Sequence, residues 1–124
     1  MDNTCAFCNP LQQEKVLSNP LAYARWDKFP VSPGHLLIIP KRHVANYFDA
    51  TNEEKADLWA LVEQGKELVE KSYKPDGYNV GFNVGASAGQ SIFHCHIHLI
   101  PRYKGDMENP KGGVRHVIPE KGKY

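Results

Sequence analysis

The segment from Gly89 to Arg102 constrains the fold more than any other part of the sequence. At its centre histidines alternate with apolar residues, and successive side chains of a β-strand point to opposite faces. The alternation therefore predicts a strand with two unlike faces. One face would display the even-numbered residues Ile92, His94, His96, His98 and Ile100; the other would pack on the core with Phe93, Cys95, Ile97 and Leu99.

Three imidazoles spaced two residues apart favour a functional strand over incidental surface or core histidines. Residues i and i+4 of a strand lie about 13 Å apart, whereas nitrogen ligands sit about 2.0–2.1 Å from a zinc ion. Two adjacent histidines could therefore reach one ion, but all three could do so only on a kinked strand. At least one imidazole is left for nucleophilic or acid–base chemistry, which suits a group that titrates near neutral pH.

The length of 124 residues predicts one domain, residues 1–124, with a single core. A formal net charge of +1 argues against binding to nucleic acid or to a membrane surface. No apolar run approaches the roughly 20 residues of a membrane span, and residues 1–5 lack the pattern of a signal peptide. We therefore expect a cytoplasmic protein with no nucleic-acid or membrane partner.

The three cysteines are too few, and odd in number, for a disulfide scaffold. Cys5 and Cys8 have the C-x-x-C spacing of a zinc knuckle, so residues 1–13 are a candidate zinc-knuckle segment. Two ligands do not close a structural zinc site, which normally takes four. The alternative is a pair of free thiols that pack as small apolar groups.

Periodicity divides the rest of the chain into short strands and one long helix. Strands are predicted at residues 14–18, 21–27, 35–39 and 78–84. A helical turn is expected at 44–50, and a long helix should run from a capping box of Thr51 and Glu54 to about Lys74. Residues 107–124 are rich in glycine, proline and charge and predict an irregular tail. The expected class is α+β, with an antiparallel sheet of about five strands packed against the long helix and a short one.

A loop of small residues, 85–91, precedes the histidine strand. Such a loop exposes consecutive backbone N–H groups, which can form an anion-binding nest. It is not a Walker loop, because it lacks the Gly-Lys-Ser/Thr sequence and no helix is predicted after it. The preceding strand turns Asn79, Gly81 and Asn83 to one face, which predicts the floor of a ligand site.

The sequence His94-Cys95-His96-Ile97-His98-Leu99-Ile100 resembles the signature of the histidine-triad (HIT) family, in which three histidines alternate with apolar residues. Asp27, residues 33–40, Asn83 and residues 89–91 fall in the order expected for that family, so the resemblance covers nearly the whole chain. Residues 101–106 resemble the Fhit-like dinucleoside polyphosphate hydrolases more than the Hint-like phosphoramidases.

The resemblance implies a HIT-like fold, a homodimer and a role for each site residue. His96 would attack phosphorus, and a backbone carbonyl within the motif would hold its other nitrogen. His98 and the N–H of Ser91 would stabilise the phosphoryl oxygens. His94 completes the catalytic set of three histidines, and its role is structural if it ligates zinc. The remaining implied contacts are Asp27 to the ribose, and Asn83, Gly89 and Gln90 to the phosphate.

The resemblance also implies a structural zinc ion held by Cys5, Cys8, His43 and His94, and no organic cofactor. His35 could support the triad from a neighbouring strand, or be a plain core histidine. Phe7 and Trp26 are candidates for the base pocket. Arg115, His116 and Lys121 are open candidates because similar tails in this superfamily can reach across a dimer to the active site of the neighbouring subunit.

The implied reaction is nucleotidyl transfer to water from an AMP-like donor, a dinucleoside polyphosphate or a nucleoside phosphoramidate, through a nucleotidyl-histidine intermediate. The chain would then be an enzyme, a hydrolase of the HIT family. A nucleotide-binding regulatory module with negligible turnover is the alternative. A third possibility is a metal-storage or redox role for the cysteine and histidine set.

Overall fold

The computed structural model describes residues 5–124 and contains a five-stranded antiparallel sheet. The strands occur in the order β1-β2-β3-β5-β4, and their bounds are β1 Leu17–Ser18, β2 Ala22–Trp26, β3 Leu36–Pro40, β4 Gly77–Gly81 and β5 Ile97–Arg102. One long helix, α1, covers Asn52–Ser72. Residues 1–4, which bear on the expected lack of a signal peptide, lie outside the described residues. None of the helices between residues 5 and 124 is long and apolar enough to cross a bilayer.

Helix α1 begins where the sequence predicts. The Thr51 hydroxyl accepts a hydrogen bond from the backbone N–H of Glu54 at 3.0 Å, and the Glu54 carboxylate accepts one from the N–H of Thr51 at 2.8 Å. The Arg42 guanidinium binds the same carboxylate through two 2.9 Å contacts and lowers the pKa of Glu54. The helix ends at Ser72, slightly before the expected Lys74. The α+β class is confirmed.

Shorter 3-10 helices occur between these elements. They cover Gln12–Glu14, Tyr47–Asp49, Ala86–Ala88, Gly113–Val117 and Pro119–Lys121. The helical turn expected at 44–50 is therefore present. The strand expected at 14–18 is reduced to β1, because residues 12–14 are helical, and the one expected at 78–84 ends at Gly81.

The two faces of the sheet have different roles. The face toward α1 carries the main core, which consists of Ala22, Ala24, Leu36, Ile38, Leu58, Leu61, Ile97 and Leu99. A smaller cluster of Phe7, Tyr23, Leu37 and Ile39 lies on the other face. Within β5, Ile97 and Leu99 are buried while His98 and Ile100 are half-buried, so the predicted separation of faces is confirmed from residue 97 onward.

The histidine segment before residue 97 does not follow the predicted strand. Strand β5 starts at Ile97, residues 92–94 form a bend, Phe93 is 48% exposed and His94 is fully buried. The expectation of one continuous strand with Phe93 in the core was therefore wrong. The reason is a hydrogen bond to a distant part of the chain: the Cys95 N–H donates to the Val44 carbonyl at 2.7 Å, which ties this segment to the loop after β3.

Gly65 provides a test of the close contact between α1 and the sheet. A Cβ atom at this position would lie 2.7 Å from Leu36 Cδ2 and 3.3 Å from Leu99 Cδ2. Alanine improves helix propensity by about 1 kcal/mol, but overpacking a core costs about 1–3 kcal/mol. We expect Gly65→Ala to lower the free energy of unfolding by about 1 kcal/mol in a urea titration. Gly77→Ala is the control, since a Cβ there meets no atom within 4 Å; a more stable Gly65→Ala protein would contradict the close contact.

Candidate active site and metal centre

A cavity of about 1080 Å³ opens on the face of the sheet that α1 does not cover. Its floor follows the strand register, in which Arg25 pairs with Leu37, Leu37 with His98, and His98 with Gly81. Its walls come from the loops at both ends and include Phe7, Asp27, His35, Asn83, Ser91 and His96. The sheet thus brings together residues that are up to about 90 positions apart in the sequence.

His96 is held in one tautomer by its own segment. Its Nδ1 lies 2.9 Å from the backbone carbonyl oxygen of His94, so Nδ1–H donates and the lone pair is on Nε2. The acceptor is the kind of backbone carbonyl that the sequence argument expected. Because His96 lines the cavity, the arrangement suits an imidazole that attacks through Nε2.

His98 belongs to a chain of hydrogen bonds that crosses the sheet. The backbone N–H of Val31 donates to His35 Nδ1 at 3.0 Å, so the proton of His35 is on Nε2. That Nε2 lies 3.0 Å from His98 Nδ1 and 3.3 Å from Asp27 Oδ2. His98 therefore accepts at Nδ1 and carries its proton on Nε2, which makes it a hydrogen-bond donor. Donor and acceptor atoms of Asp27, His35 and His98 lie within 4.8 Å of one another, and these hydrogen bonds account for their proximity.

Burial keeps the histidines of this chain neutral. Desolvation, followed by the neighbouring His96 and His35, lowers the pKa of His98 to about 4. Desolvation also lowers the pKa of His35, although the carboxylate of Asp27 opposes the shift. A neutral His98 can donate from Nε2 throughout the neutral pH range.

The lowered pKa values predict a stability that depends on pH. Unfolded His98 takes up a proton near its usual pKa of 6.5, whereas folded His98 does so only at about 4. Stability should therefore fall as the pH drops from about 6.5 toward 4, by up to about 1.4 kcal/mol per pH unit for each such histidine. We expect His98→Gln to reduce this slope in urea titrations at pH 7.5, 6 and 5. An unchanged slope would show that His98 titrates alike in both states.

The loop of residues 85–91, for which the sequence predicts an anion-binding nest, lies beside the histidines. Gly85 and Gly89 adopt φ values of +88° and +96°, which favour glycine. Gly89 and Ser91 line the cavity. The Gln90 side chain points inward instead: its amide nitrogen donates to the carbonyls of Ala45 and Ile92, and its oxygen accepts from the N–H of Gly85. Gln90 therefore holds the shape of the loop.

Four side chains form a separate cluster beside the cavity, with candidate ligand atoms within 4.8 Å of one another: Cys5, Cys8, His43 and His94. His94 Nδ1 lies 3.3 Å from the sulfur of Cys5 and 3.5 Å from that of Cys8. The sulfur of Cys8 lies 3.0 Å from His43 Nδ1. These distances are close to the roughly 3.5 Å expected between ligand atoms around a tetrahedral zinc ion.

His94 is oriented for metal binding. Its Nε2–H donates to the carbonyl oxygen of Pro40 at 2.8 Å, which leaves the lone pair on Nδ1, facing the cysteines. Burial lowers the pKa of His94 and so favours the neutral ligand form. The side chain of His94 thus belongs to the group of candidate metal ligands, while its backbone carbonyl orients His96. The donor set fits a structural zinc ion.

Of the other candidates from the sequence, some line the cavity and some make contacts elsewhere. Phe7 lines the cavity, with its ring centre 5.1 Å from that of His96, and His116 also lines it. Trp26 instead packs against Tyr73 with ring centres 6.0 Å apart. Arg115 donates to carbonyls within the tail, at Gly122 and Lys121. The tail forms two 3-10 helices, and Gly113, Val114 and Val117 also reach the cavity wall.

Sequence reasoning missed several residues of the cavity, above all Arg25, Lys28 and Leu37. The alternating pattern of β2 and β3 places Arg25 and Leu37 on the face opposite to Ala24 and Leu36. That pattern was visible in the sequence, but the register that joins these residues to His98 was not.

A five-stranded antiparallel sheet with neutral, oriented histidines beside a glycine-containing loop defines an α+β protein of the histidine-triad class.

Comparison with known proteins identifies the family. Residues 10–105 match the model of the HIT domain, and the chain belongs to the HIT family. An uncharacterized HIT-like protein of Saccharolobus solfataricus is 36% identical over 89% of this chain and 82% of its own length. The bis(5'-adenosyl)-triphosphatase of Dictyostelium discoideum is 41% identical over 79% of this chain and 66% of its own, consistent with the Fhit-like branch of the family. The crystal structure of a Zn-bound histidine-triad family protein from Mycobacterium smegmatis matches with a TM-score of 0.74 and 28% identity, over 86% of this chain and 80% of that one.

Proposed function

We propose that this protein is a nucleotidyl hydrolase or transferase that cleaves an AMP-like donor at its α-phosphate through a covalent intermediate on His96. The observation that carries the proposal is the 2.9 Å hydrogen bond from His96 Nδ1–H to the His94 carbonyl. It leaves Nε2 of an imidazole in the cavity wall with a free lone pair. A neutral imidazole of this kind is a competent nucleophile.

The reaction proceeds in two displacements at phosphorus. In the first, His96 Nε2 forms a bond to the α-phosphorus while the bond from that phosphorus to the leaving group breaks. In the second, a water oxygen bonds to the same phosphorus and the bond to Nε2 breaks, which restores the neutral imidazole. The water proton is released, and the leaving group takes a proton according to its own pKa.

The surrounding residues stabilise charge on the phosphoryl oxygens as these displacements occur. His98 donates from Nε2 because its Nδ1 accepts from His35. The backbone N–H of Ser91 and the amide of Asn83 supply further donors from the cavity wall. Donors that are fixed before the reaction are effective because they need no reorganisation in the transition state. Asp27, also in the wall, would accept from the ribose hydroxyls.

Two types of substrate fit the proposed reaction. The relative from Dictyostelium discoideum is named as a bis(5'-adenosyl)-triphosphatase, which favours dinucleoside polyphosphates. Nucleoside phosphoramidates contain the same α-phosphorus and fit the same chemistry. Phosphorus NMR of a panel of both substrate types would identify the bond that is cleaved.

We further propose a structural zinc ion at Cys5, Cys8, His43 and His94, no organic cofactor, and a homodimer in the cytoplasm. The zinc proposal is supported by the four-residue cluster and by the orientation of His94. Light scattering coupled to size-exclusion chromatography tests the dimer, for which a single-chain mass would be contrary evidence.

A nucleotide-binding module with negligible turnover is the alternative, since the same cavity could hold a nucleotide without cleaving it. Labelled substrate separates the two functions, because only an enzyme with the proposed mechanism leaves a nucleotide on His96 after acid-free quenching and peptide mapping. A metal-storage or redox role predicts variable metal content and no turnover, which elemental analysis beside the nucleotide assay would reveal.

A further inference from the structure

Arg25 is a buried charge that the proposed reaction does not use. It lies in β2, is 5% exposed, and pairs with Glu14 through a 2.8 Å contact from Nη2 to Oε2. Arg25 lines the cavity, whereas Glu14 is not among the described residues that do. The carboxylate therefore lies behind the guanidinium, where its other oxygen accepts from the N–H of Leu11 at 2.8 Å. A charge is buried at a cost unless it is paired. Glu14 and the Tyr23 hydroxyl accept from part of the five N–H donors of the guanidinium, and Arg25 still lines the cavity.

The register of the sheet fixes the distance from Arg25 to the histidines. Arg25 pairs with Leu37 on β3, and Leu37 pairs with His98 on β5. Neighbouring strands lie about 4.8 Å apart, so the backbone of Arg25 is about 10 Å from that of His98 along the cavity floor. Leu37 is the floor between them.

The space above Leu37 is apolar and ends at the guanidinium. The Phe7 ring forms one side, with its centre 5.1 Å from that of His96 and 5.9 Å from Arg25 Cζ. The Tyr23 hydroxyl fixes the Phe7 backbone by donating to its carbonyl at 2.6 Å. Ile92 packs on the same cluster and also lines the cavity. An aromatic base fits this slot, while the phosphate fits the donors at the other end.

The two cationic side chains that line the cavity, Arg25 and Lys28, can only donate hydrogen bonds, whereas the Asp27 carboxylate in the same lining is the acceptor proposed for the ribose. A guanidinium carries N–H donors and no acceptor, and the same is true of the ammonium of Lys28, which also lines the cavity. Guanine and hypoxanthine present two neighbouring acceptors, N7 and O6, which match a guanidinium fork. Adenine presents an amino donor in place of O6 and would oppose one of these N–H groups.

We propose that Arg25 recognises the base and gives this protein a preference for 6-oxopurine nucleotides over adenine nucleotides. The proposal rests on the proposed nucleotidyl transfer and specifies its donor: the nucleoside 5'-phosphoryl group would carry guanine or hypoxanthine in preference to the adenine of AMP itself. Bidentate arginine contacts of this kind discriminate between bases by about tenfold to a hundredfold. A lysine at the same position would keep the charge and the pairing with Glu14 but lose the fork.

The test is calorimetric binding of GMP, IMP, AMP and ribose 5-phosphate to the wild type, Arg25→Lys and Arg25→Leu. We expect the wild type to bind GMP and IMP at least about tenfold more tightly than AMP. Arg25→Leu should bind all three nucleotides alike, Arg25→Lys should retain only part of the preference, and both should bind ribose 5-phosphate as the wild type does. The matched control is Lys71→Gln, which removes one positive charge in the last turn of α1.

Two results would overturn the proposal. Equal affinity of the wild type for GMP and AMP would show that the base is not read. A loss in Arg25→Leu that is as large for ribose 5-phosphate as for GMP would make Arg25 a phosphate contact. If Arg25→Leu does not fold, the affinities of the wild type and Arg25→Lys for GMP and AMP test the proposal. A base preference without any nucleotide trapped on His96 would refute the proposed reaction but not the role of Arg25. Turnover with no base preference would refute the role of Arg25 but not the proposed reaction.

Discussion

Replacement of His96 by alanine is expected to reduce turnover by at least about 10⁴-fold, in line with the loss of a catalytic nucleophile in other enzymes. The reason is that the proposed first step forms a bond to Nε2 of this imidazole. Binding of the product mononucleotide should remain measurable, because the sheet, the loop of residues 85–91 and Asp27 are unaffected. The measurement is a single-turnover assay with labelled substrate, followed by a search for the labelled peptide.

His98→Ala is the matched comparison, because it removes a neighbouring imidazole and keeps the nucleophile. Loss of one donor to the phosphoryl oxygens should cost about 10²–10³ in rate, and a nucleotide should still be trapped on His96. Substantial turnover in His96→Ala would eliminate the covalent mechanism. Trapping on His98 in place of His96 would show that the roles of the two residues are exchanged.

Loss of the proposed zinc ion is expected to produce the largest change in stability. Cys8→Ala and His94→Ala should each lower the bound zinc from about one ion per chain to almost none, since a structural site needs its four ligands. An ion that binds only the folded state contributes about 4 kcal/mol to stability when its free concentration is about 1,000 times its Kd. The Tm of either variant should therefore fall by about 10 °C or more. Elemental analysis measures the zinc content, and scanning calorimetry measures the Tm.

Cys95→Ala is the control for these variants. Cys95 is the residue after His94 in the sequence. Its side chain is buried next to Val44 and Ala50 and does not belong to the group of four candidate metal ligands. Its replacement should leave the zinc content unchanged. A wild-type protein that contains no metal, and whose Tm is the same with and without a strong chelator, would contradict a structural zinc site.

The parts of the fold that could be predicted were those encoded by local patterns. Helix α1 was predictable because Thr51 and Glu54 satisfy each other's backbone N–H groups at its start. Strand β3 was predictable because its sequence is a short run of aliphatic residues, which is typical of a strand that is buried on both faces. The segment around His94 was not, because its backbone pairs with Val44, a residue about 50 positions away, and no local pattern reports such a partner.

The candidate site shows the same division. The sequence by itself determined which functional groups are present: three imidazoles in alternation, a C-x-x-C pair and a loop of small residues, which predict a nucleophile, metal ligands and an anion-binding nest. Only the tertiary structure decided which atom of each imidazole is available. His94 turns toward the cysteines, His96 is fixed by a carbonyl, and His98 is fixed by His35. The tautomer of a histidine depends on its hydrogen-bond partner. The partner of His96 lies within its own segment, whereas the partners of His94 and His98, Pro40 and His35, come from distant parts of the chain.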